Sequence, residues 1–167
     1  MEQGIFPLYF IGKEGNMRKI VLVFVLAILA SMAAYPVYGA DPAQEEINKK
    51  NVVEFYKAMI NQKDFEAASK YVGSRYVQHN PMGADHLEGI KNFIQFLREK
   101  MPDAHWELKR VFADGDYVIT HGHTVSKPGD RGMAAMDIFR LEEGKIVEHW
   151  DAVQPIPEKA MNANTMF

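Results

Sequence analysis

His121 and His123 stand two residues apart in a segment whose side chains alternate, Tyr117, Ile119, His121, His123 and Val125 falling at every second position. A period of two is that of a β-strand, and residues two apart project from one face of it. The apolar members of this set mark its face as the inward one. In the next segment Asp137 falls in step with Met133, Ala135, Phe139 and Leu141. The last segment, residues 145–153, sets Val147, His149, Asp151 and Val153 on one face and Ile146, Glu148 and Trp150 on the other. Both of those faces carry apolar residues, so alternation does not choose between them. With the Val147 face inward, Asp151 and His149 converge with His121, His123 and Asp137.

Carboxylates on an inward face are costly unless paired, hydrogen-bonded or wet, so several together imply a polar cavity rather than a sealed core. An Asp beside a His in such a cavity suits general acid–base chemistry, because each side chain alters the proton affinity of the other. In that reading Asp151 is the base and His121 or His123 the acid or oxyanion donor. Two other readings stay open. Buried His–Asp pairs also serve simply to satisfy each other. His-x-His on a strand also suits a metal ion, with His79, Asp137 or Asp151 as third ligand. His86 and His105, in a loop and at a strand start, read as surface residues, and Trp106 and Trp150 as core or subunit-interface residues.

Composition narrows the chemistry further. The 167 residues include six histidines and no cysteine, and the formal net charge is −3. Lack of cysteine excludes disulfides, thiol nucleophiles, iron–sulfur clusters and thiolate zinc sites. A mildly acidic chain without a basic block is not expected to bind nucleic acid.

The elements that position these residues follow from periodicity. Ile47, Val52, Phe55, Tyr56, Met59 and Ile60 recur at helical spacing and predict a helix over residues 43–61. Asp64 is placed to cap a short second helix through Tyr71 and Val72. Residues 75–79 read as a strand-like piece stopped by Asn80-Pro81. Ile90, Phe93, Ile94, Leu97 and Met101 mark a helix ended by Pro102. The period then changes to two, and turns at Asp114-Gly115, residues 127–132 and Glu143-Gly144 divide four antiparallel strands. Trp106, Leu108, Arg110 and Phe112 share a face of the first. The tail from Pro155 reads as irregular, with Met166 and Phe167 available to dock on a neighbouring molecule. Helices followed by an antiparallel meander predict an α+β domain with helices on one face of a curved sheet.

Before this domain, Met17-Arg18-Lys19 precedes an uncharged run over residues 20–34, closed by small residues near Gly39-Ala40. That pattern predicts a signal peptide with its n-region at Met17 and cleavage after Gly39. The run has 15 residues, fewer than the roughly 20 that a membrane span needs. The expectation is a periplasmic or secreted domain, residues 40–167, not held in a membrane once the signal, residues 1–39, is removed.

Several short segments in order, Asn48-Lys49-Lys50-Asn51-Val52-Val53-Glu54-Phe55-Tyr56, Tyr76-Val77-Gln78-His79-Asn80-Pro81, Gly129-Asp130-Arg131-Gly132, Asp137-Ile138-Phe139-Arg140 and Gly144-Lys145-Ile146-Val147-Glu148-His149-Trp150-Asp151, carry a likeness. The chain resembles the SnoaL-like polyketide cyclase family of the nuclear-transport-factor-2-like superfamily, also called the cystatin-like α+β cone, over residues 44–167. The resemblance implies a cone-shaped sheet around a deep pocket, homodimers packed through the outer sheet face, and the Val147 face of the last strand inward. Related epoxide hydrolases place an acidic base where Asp151 stands and other polar groups near His79, His121 and His123. This chain has His where they use Arg and Asp, so their water-activating set is not reproduced. The Asp/His pair of the cyclases, used for an intramolecular aldol closure, fits His121, His123, Asp137 and Asp151 better.

The expectation is therefore an exported, cofactor-free acid–base enzyme acting on a small, partly apolar carbonyl compound. Asp151, His121, His123, Asp137 and His79 would carry catalysis, and Tyr117, Ile119, Ala135, Phe139, Val147 and His149 would line the ligand site. The alternatives are a non-catalytic domain that binds a small ligand and a metal site on the histidines.

Overall fold

In the computed structural model, which describes residues 41–167, the first helix starts beside Asp41. The Asp41 carboxylate accepts from the Ala43 amide, and Pro42, with no N–H to leave unpaired, begins the first turn. Helix α1 spans Pro42–Tyr56 and passes into a π-helical turn, Lys57–Asn61. The expected signal peptide and its cleavage point lie outside the described residues. Among those residues, no helix is long and apolar enough to cross a membrane.

Helix α2, Phe65–Ser69, is capped by Asp64, whose carboxylate accepts from the Ala67 amide. Strand β1, Val72–Gln78, leads to α3, His86–Lys100, and then to β2, His105–Asp114, β3, Tyr117–Val125, β4, Met133–Glu142, and β5, Lys145–Pro155. The four antiparallel strands expected from the sequence are β2 to β5. The fragment beginning at Arg75 is the end of a fifth strand, and it pairs in parallel with β5, giving the order β1-β5-β4-β3-β2. Gly73, Ser74 and Arg75 interrupt the alternation that would have revealed its full length. Helices on a curved, unclosed five-stranded sheet make this an α+β fold.

Helix α1 holds the sheet through polar residues as well as apolar ones. Val52, Phe55 and Tyr56 are buried as expected, but Ile47 is 50% exposed while Asn48 is 1% exposed. Asn48 donates to the Gly115 carbonyl, Glu45 accepts from the Gly115 amide, and Asn51 donates to the Gly144 carbonyl. The helix thus grips two of the three turns that join β2 to β5, those at Gly115 and Gly144, which is why an amide is buried where the apolar spacing points to Ile47.

Two bulges then set which side chains face the helices. In β2, Leu108 pairs with Gly122 and Arg110 with His121, so Lys109 is an extra residue. Trp106 is consequently buried, whereas Arg110 and Phe112 lie on the opposite, outer face, and Phe112 is 55% exposed. In β5, Leu141 of β4 pairs with Ile146 and Arg140 with Glu148, leaving Val147 as the bulge. Ile146 and His149 both turn inward across it.

Strand β3 reverses the expected orientation. Val118 and Thr120 are fully buried, and Thr120 pairs with inward-facing Asp137. His121 pairs with Met136, which is 47% exposed. Tyr117, Ile119, His121 and His123 therefore belong to the outer face. Thr120 and Gly122 concealed the inner face because neither is apolar. Gly122 is there to admit an indole: a Cβ on it would lie 2.4 Å from Trp106 Nε1. Gly122→Ala should destabilise the domain by about 1–3 kcal/mol through overpacking, read as a lower urea midpoint. An unchanged midpoint would mean that the indole does not need this gap.

Candidate functional site

A cavity of about 600 Å³ opens between the inner face of the sheet and helices α1 and α3. That volume accommodates a drug-sized ligand. Its walls are aromatic: the Tyr56 ring stacks on Trp106 at 4.7 Å and meets Phe139 edge-on at 5.4 Å. Phe93 and Phe96 of α3 also line it, yet remain 42% and 47% exposed. The helical spacing that places Ile94 and Leu97 in the core leaves these two rings where the cavity meets solvent.

One region of the cavity is polar. Asp137, His149 and Asp151 each offer a ligand atom there, and these atoms lie within 4.8 Å of one another. Asp137 is 3% exposed. Its Oδ1 accepts from the Tyr56 hydroxyl at 2.7 Å and its Oδ2 from Thr120 Oγ1 at 2.9 Å. His149 Nε2 lies 3.4 Å from Oδ1. The two hydroxyl donors compensate a charge that would otherwise be expensive to bury. Asp151 is half-buried, and the Asn80 amide donates to its two oxygens at 2.7 and 2.9 Å.

Of the residues expected from the sequence, Asp137, His149, Asp151, Ala135 and Phe139 line this cavity. Val147 is buried in the β5 bulge and does not line it. Tyr117, Ile119, His121 and His123 do not, because β3 presents them to the outer face. There His121 Nδ1 accepts from Arg110 at 2.7 Å, and His123 Nε2 donates to the Arg131 carbonyl at 2.7 Å. The Phe167 ring rests near both imidazoles, at 5.4 and 4.9 Å, so the tail docks on its own chain. His79 is also outside: it stacks on Trp150 at 4.5 Å and bonds Glu148 at 2.8 Å. The His-x-His pair, whose spacing also suits a metal ion, thus has one nitrogen of each ring turned to an arginine residue. Among the described residues, the set spaced for a cation is Asp137, His149 and Asp151.

Tyr56, Tyr76, Gln78, Asn80 and Thr120 complete the polar network and were not singled out in the sequence. A signal for three of them was present. Tyr76, Gln78 and Asn80 stand at every second position of the segment from which His79 was selected, and alternation sends His79 to the other face.

Both tyrosines are held as neutral phenols. Burial raises Tyr56 well above its ordinary value, followed by the charge of Asp137 and the hydrogen bond to it. Burial likewise raises Tyr76, with Asp151, Asp137 and Asp85 adding to the effect. In an unfolded chain these phenols ionise near 10.0. Above that pH the folded state keeps protons that the unfolded chain releases, so their contribution to stability is complete below pH 10 and declines as pH rises beyond it. An alkaline titration followed by phenolate absorbance should leave Tyr56 and Tyr76 silent until the protein unfolds. Ionisation of every tyrosine with the fold intact would contradict this.

The SnoaL-like domain family matches residues 52–149, more than half of the chain. No curated protein matches the sequence. Among solved structures, a candidate polyketide cyclase from Bacillus cereus is 23% identical, with TM-score 0.56 over 64% of this chain and 74% of that one. An NTF2-like protein of unknown function from Cytophaga hutchinsonii is 26% identical, with TM-score 0.53 over 65% of this chain and 90% of that one. A candidate ketosteroid isomerase from Kribbella flavida is 12% identical, with TM-score 0.56 over 71% and 85%. These likenesses concern the fold, which hosts unrelated activities. With the curved sheet, the inner cavity and this match together, the chain belongs to the SnoaL-like family.

Proposed function

We propose that the protein is a cofactor-independent acid–base enzyme that moves a proton on a neutral, largely apolar carbonyl compound, in an aldol-type cyclisation, isomerisation or hydration. The observation that carries this reading is the convergence of Asp137, His149 and Asp151 within 4.8 Å in an otherwise aromatic cavity. Asp151 is the base, because its contact is one amide and it is the more accessible carboxylate. Asp137, with both oxygens occupied by hydroxyl donors, is a positioning residue for His149. As Asp151 takes the proton beside the carbonyl, negative charge grows on the carbonyl oxygen. The Tyr76 hydroxyl and His149 Nε2, when protonated, supply the hydrogen bonds that stabilise it. The proton on Asp151 then returns to carbon or to a leaving oxygen. Two fold neighbours named for polyketide cyclisation and ketosteroid isomerisation support the same class of chemistry.

The test is exchange of α-protons for deuterium, followed by NMR over a panel of neutral cyclic ketones and β-keto esters. Asp151→Asn should slow exchange by about 10²–10⁴-fold, and His121→Ala, on the opposite face, should leave it unchanged. Exchange at the wild-type rate in Asp151→Asn would overturn the assignment. Tight ligand binding with no exchange would make the protein a binding module instead.

We also infer that two copies pair through the outer sheet face. There Phe112, Ile119 and Ile138 form a cross-strand row, with Phe112 and Ile138 55% and 40% exposed and Met136 beside them 47% exposed. A contiguous, partly exposed apolar row of this kind suits a self-pairing interface. Ile138→Glu should convert a dimer to a monomer in sedimentation velocity. A monomeric wild-type protein would refute the pairing.

A further inference from the structure

Gln78 contributes to the cavity wall between Tyr76 and Asn80 and has no role in the scheme above. Its amide orientation is fixed by a donor of known identity. The backbone N–H of Asn80 donates to one end at 3.0 Å, so that end is the oxygen, Oε1. The other end, Nε2, donates to the Tyr76 hydroxyl at 3.0 Å. The same Oε1 lies 3.0 Å from His149 Nδ1. An amide oxygen has no proton to give, so Nδ1 carries the hydrogen. Nε2 is then the ring atom that gains and loses a proton, and it is the atom turned toward Asp137 at 3.4 Å.

Asp137 competes for that ring. A carboxylate is a stronger acceptor than an amide, and unopposed it would draw the proton of a neutral imidazole to Nε2. Three features favour Gln78. Its contact has an ordinary hydrogen-bond length, whereas 3.4 Å is a stretched one. Asp137 Oδ1 already accepts from Tyr56 at 2.7 Å. Gln78 and His149 are also direct partners across the β1–β5 ladder, fixed by the His79 amide donating to the His149 carbonyl at 2.9 Å. Phe139, stacked on the imidazole at 4.6 Å, holds its plane.

We propose that Gln78 is a positioning residue that keeps neutral His149 in the Nδ1–H form and, by donating to Tyr76, leaves the phenol proton for the ligand. Each half follows from one amide: its oxygen sets the tautomer, and its nitrogen makes the tyrosine oxygen an acceptor whose own hydrogen has no acceptor among the described residues. This deepens the acid–base reading of the same site and uses its assignment of Nε2 and Tyr76 as donors. Its readout, however, requires no substrate.

The experiment is ring-nitrogen NMR of the full chain labelled with ¹⁵N-histidine, at a pH where His149 is neutral. The His149 resonances are identified by their loss in His149→Gln. The wild type should show Nδ1–H. Gln78→Leu should shift the tautomer ratio toward Nε2–H by about tenfold, the worth of one net hydrogen bond. Gln78→Asn, one methylene too short to reach the ring, should do the same and serves if the leucine variant does not fold. Gln78→Glu, whose carboxylate still accepts from Nδ1, should restore Nδ1–H. Nε2–H in the wild type, or an unchanged ratio in both the leucine and asparagine variants, would overturn the proposal. A correct tautomer in a protein without α-proton exchange would reject the acid–base reading alone.

Discussion

The buried carboxylate of Asp137 constrains the rest of this molecule. A charge that is 3% exposed cannot be left to the sheet that carries it, and its partners come from three other elements. Tyr56 reaches it from α1, Thr120 from β3 and His149 from β5. The helix must therefore end where a phenol can meet β4, and β3 must turn a threonine inward at a position where a core would normally place an aliphatic residue. Removing either hydroxyl donor, Tyr56 or Thr120, would leave a buried acceptor short of a donor, a deficit of about 1–3 kcal/mol. The side chains that surround this charge also define the polar region of the cavity, so the stability of the fold and the shape of the candidate site rest on one set of residues.

The bulges serve that constraint. Without the extra Lys109, β2 could not bury Trp106 against Gly122 while sending Arg110 to the outer face with His121. Without the extra Val147, Ile146 in the core and His149 in the cavity would fall on opposite faces of β5. Each bulge reverses the phase of a strand between its two ends. One end can then pack on the helices while the other supplies functional groups.

This explains what the sequence made legible. The helices, the cap at Asp64 and the strands of the meander were readable from their spacing and turn residues, and the inward set Ala135, Asp137 and Phe139 because that stretch of β4 follows a single period without interruption. Asp151 and His149 were readable once the inner face of β5 was taken from the family likeness rather than from alternation. The inner face of β3 was not, because Thr120 and Gly122 are inward for reasons that lie on other strands: a carboxylate on β4 and an indole on β2. His79 was preferred to Gln78 for its chemistry, although the alternation that places Tyr76 inside also places Gln78 inside. Histidine attracts attention as a functional type, whereas an amide reveals its function only through the partners that fix its two ends.

The charges around the cavity also restrict how the proposed catalysis would work there. Among the described residues lining it there are two aspartates and neither lysine nor arginine. An enolate forming beside Asp137 would therefore face a negative neighbour with no fixed cation to offset it. On the proposed reading its oxygen would be met by protons held on neutral or switchable groups, namely the Tyr76 phenol and His149 Nε2. Burial and the same carboxylates keep Tyr76 protonated, since they raise it far above its ordinary range. The acidic groups that would make an anionic intermediate costly thus also keep in place the phenol proton that would stabilise it, which would couple the two halves of the site electrostatically.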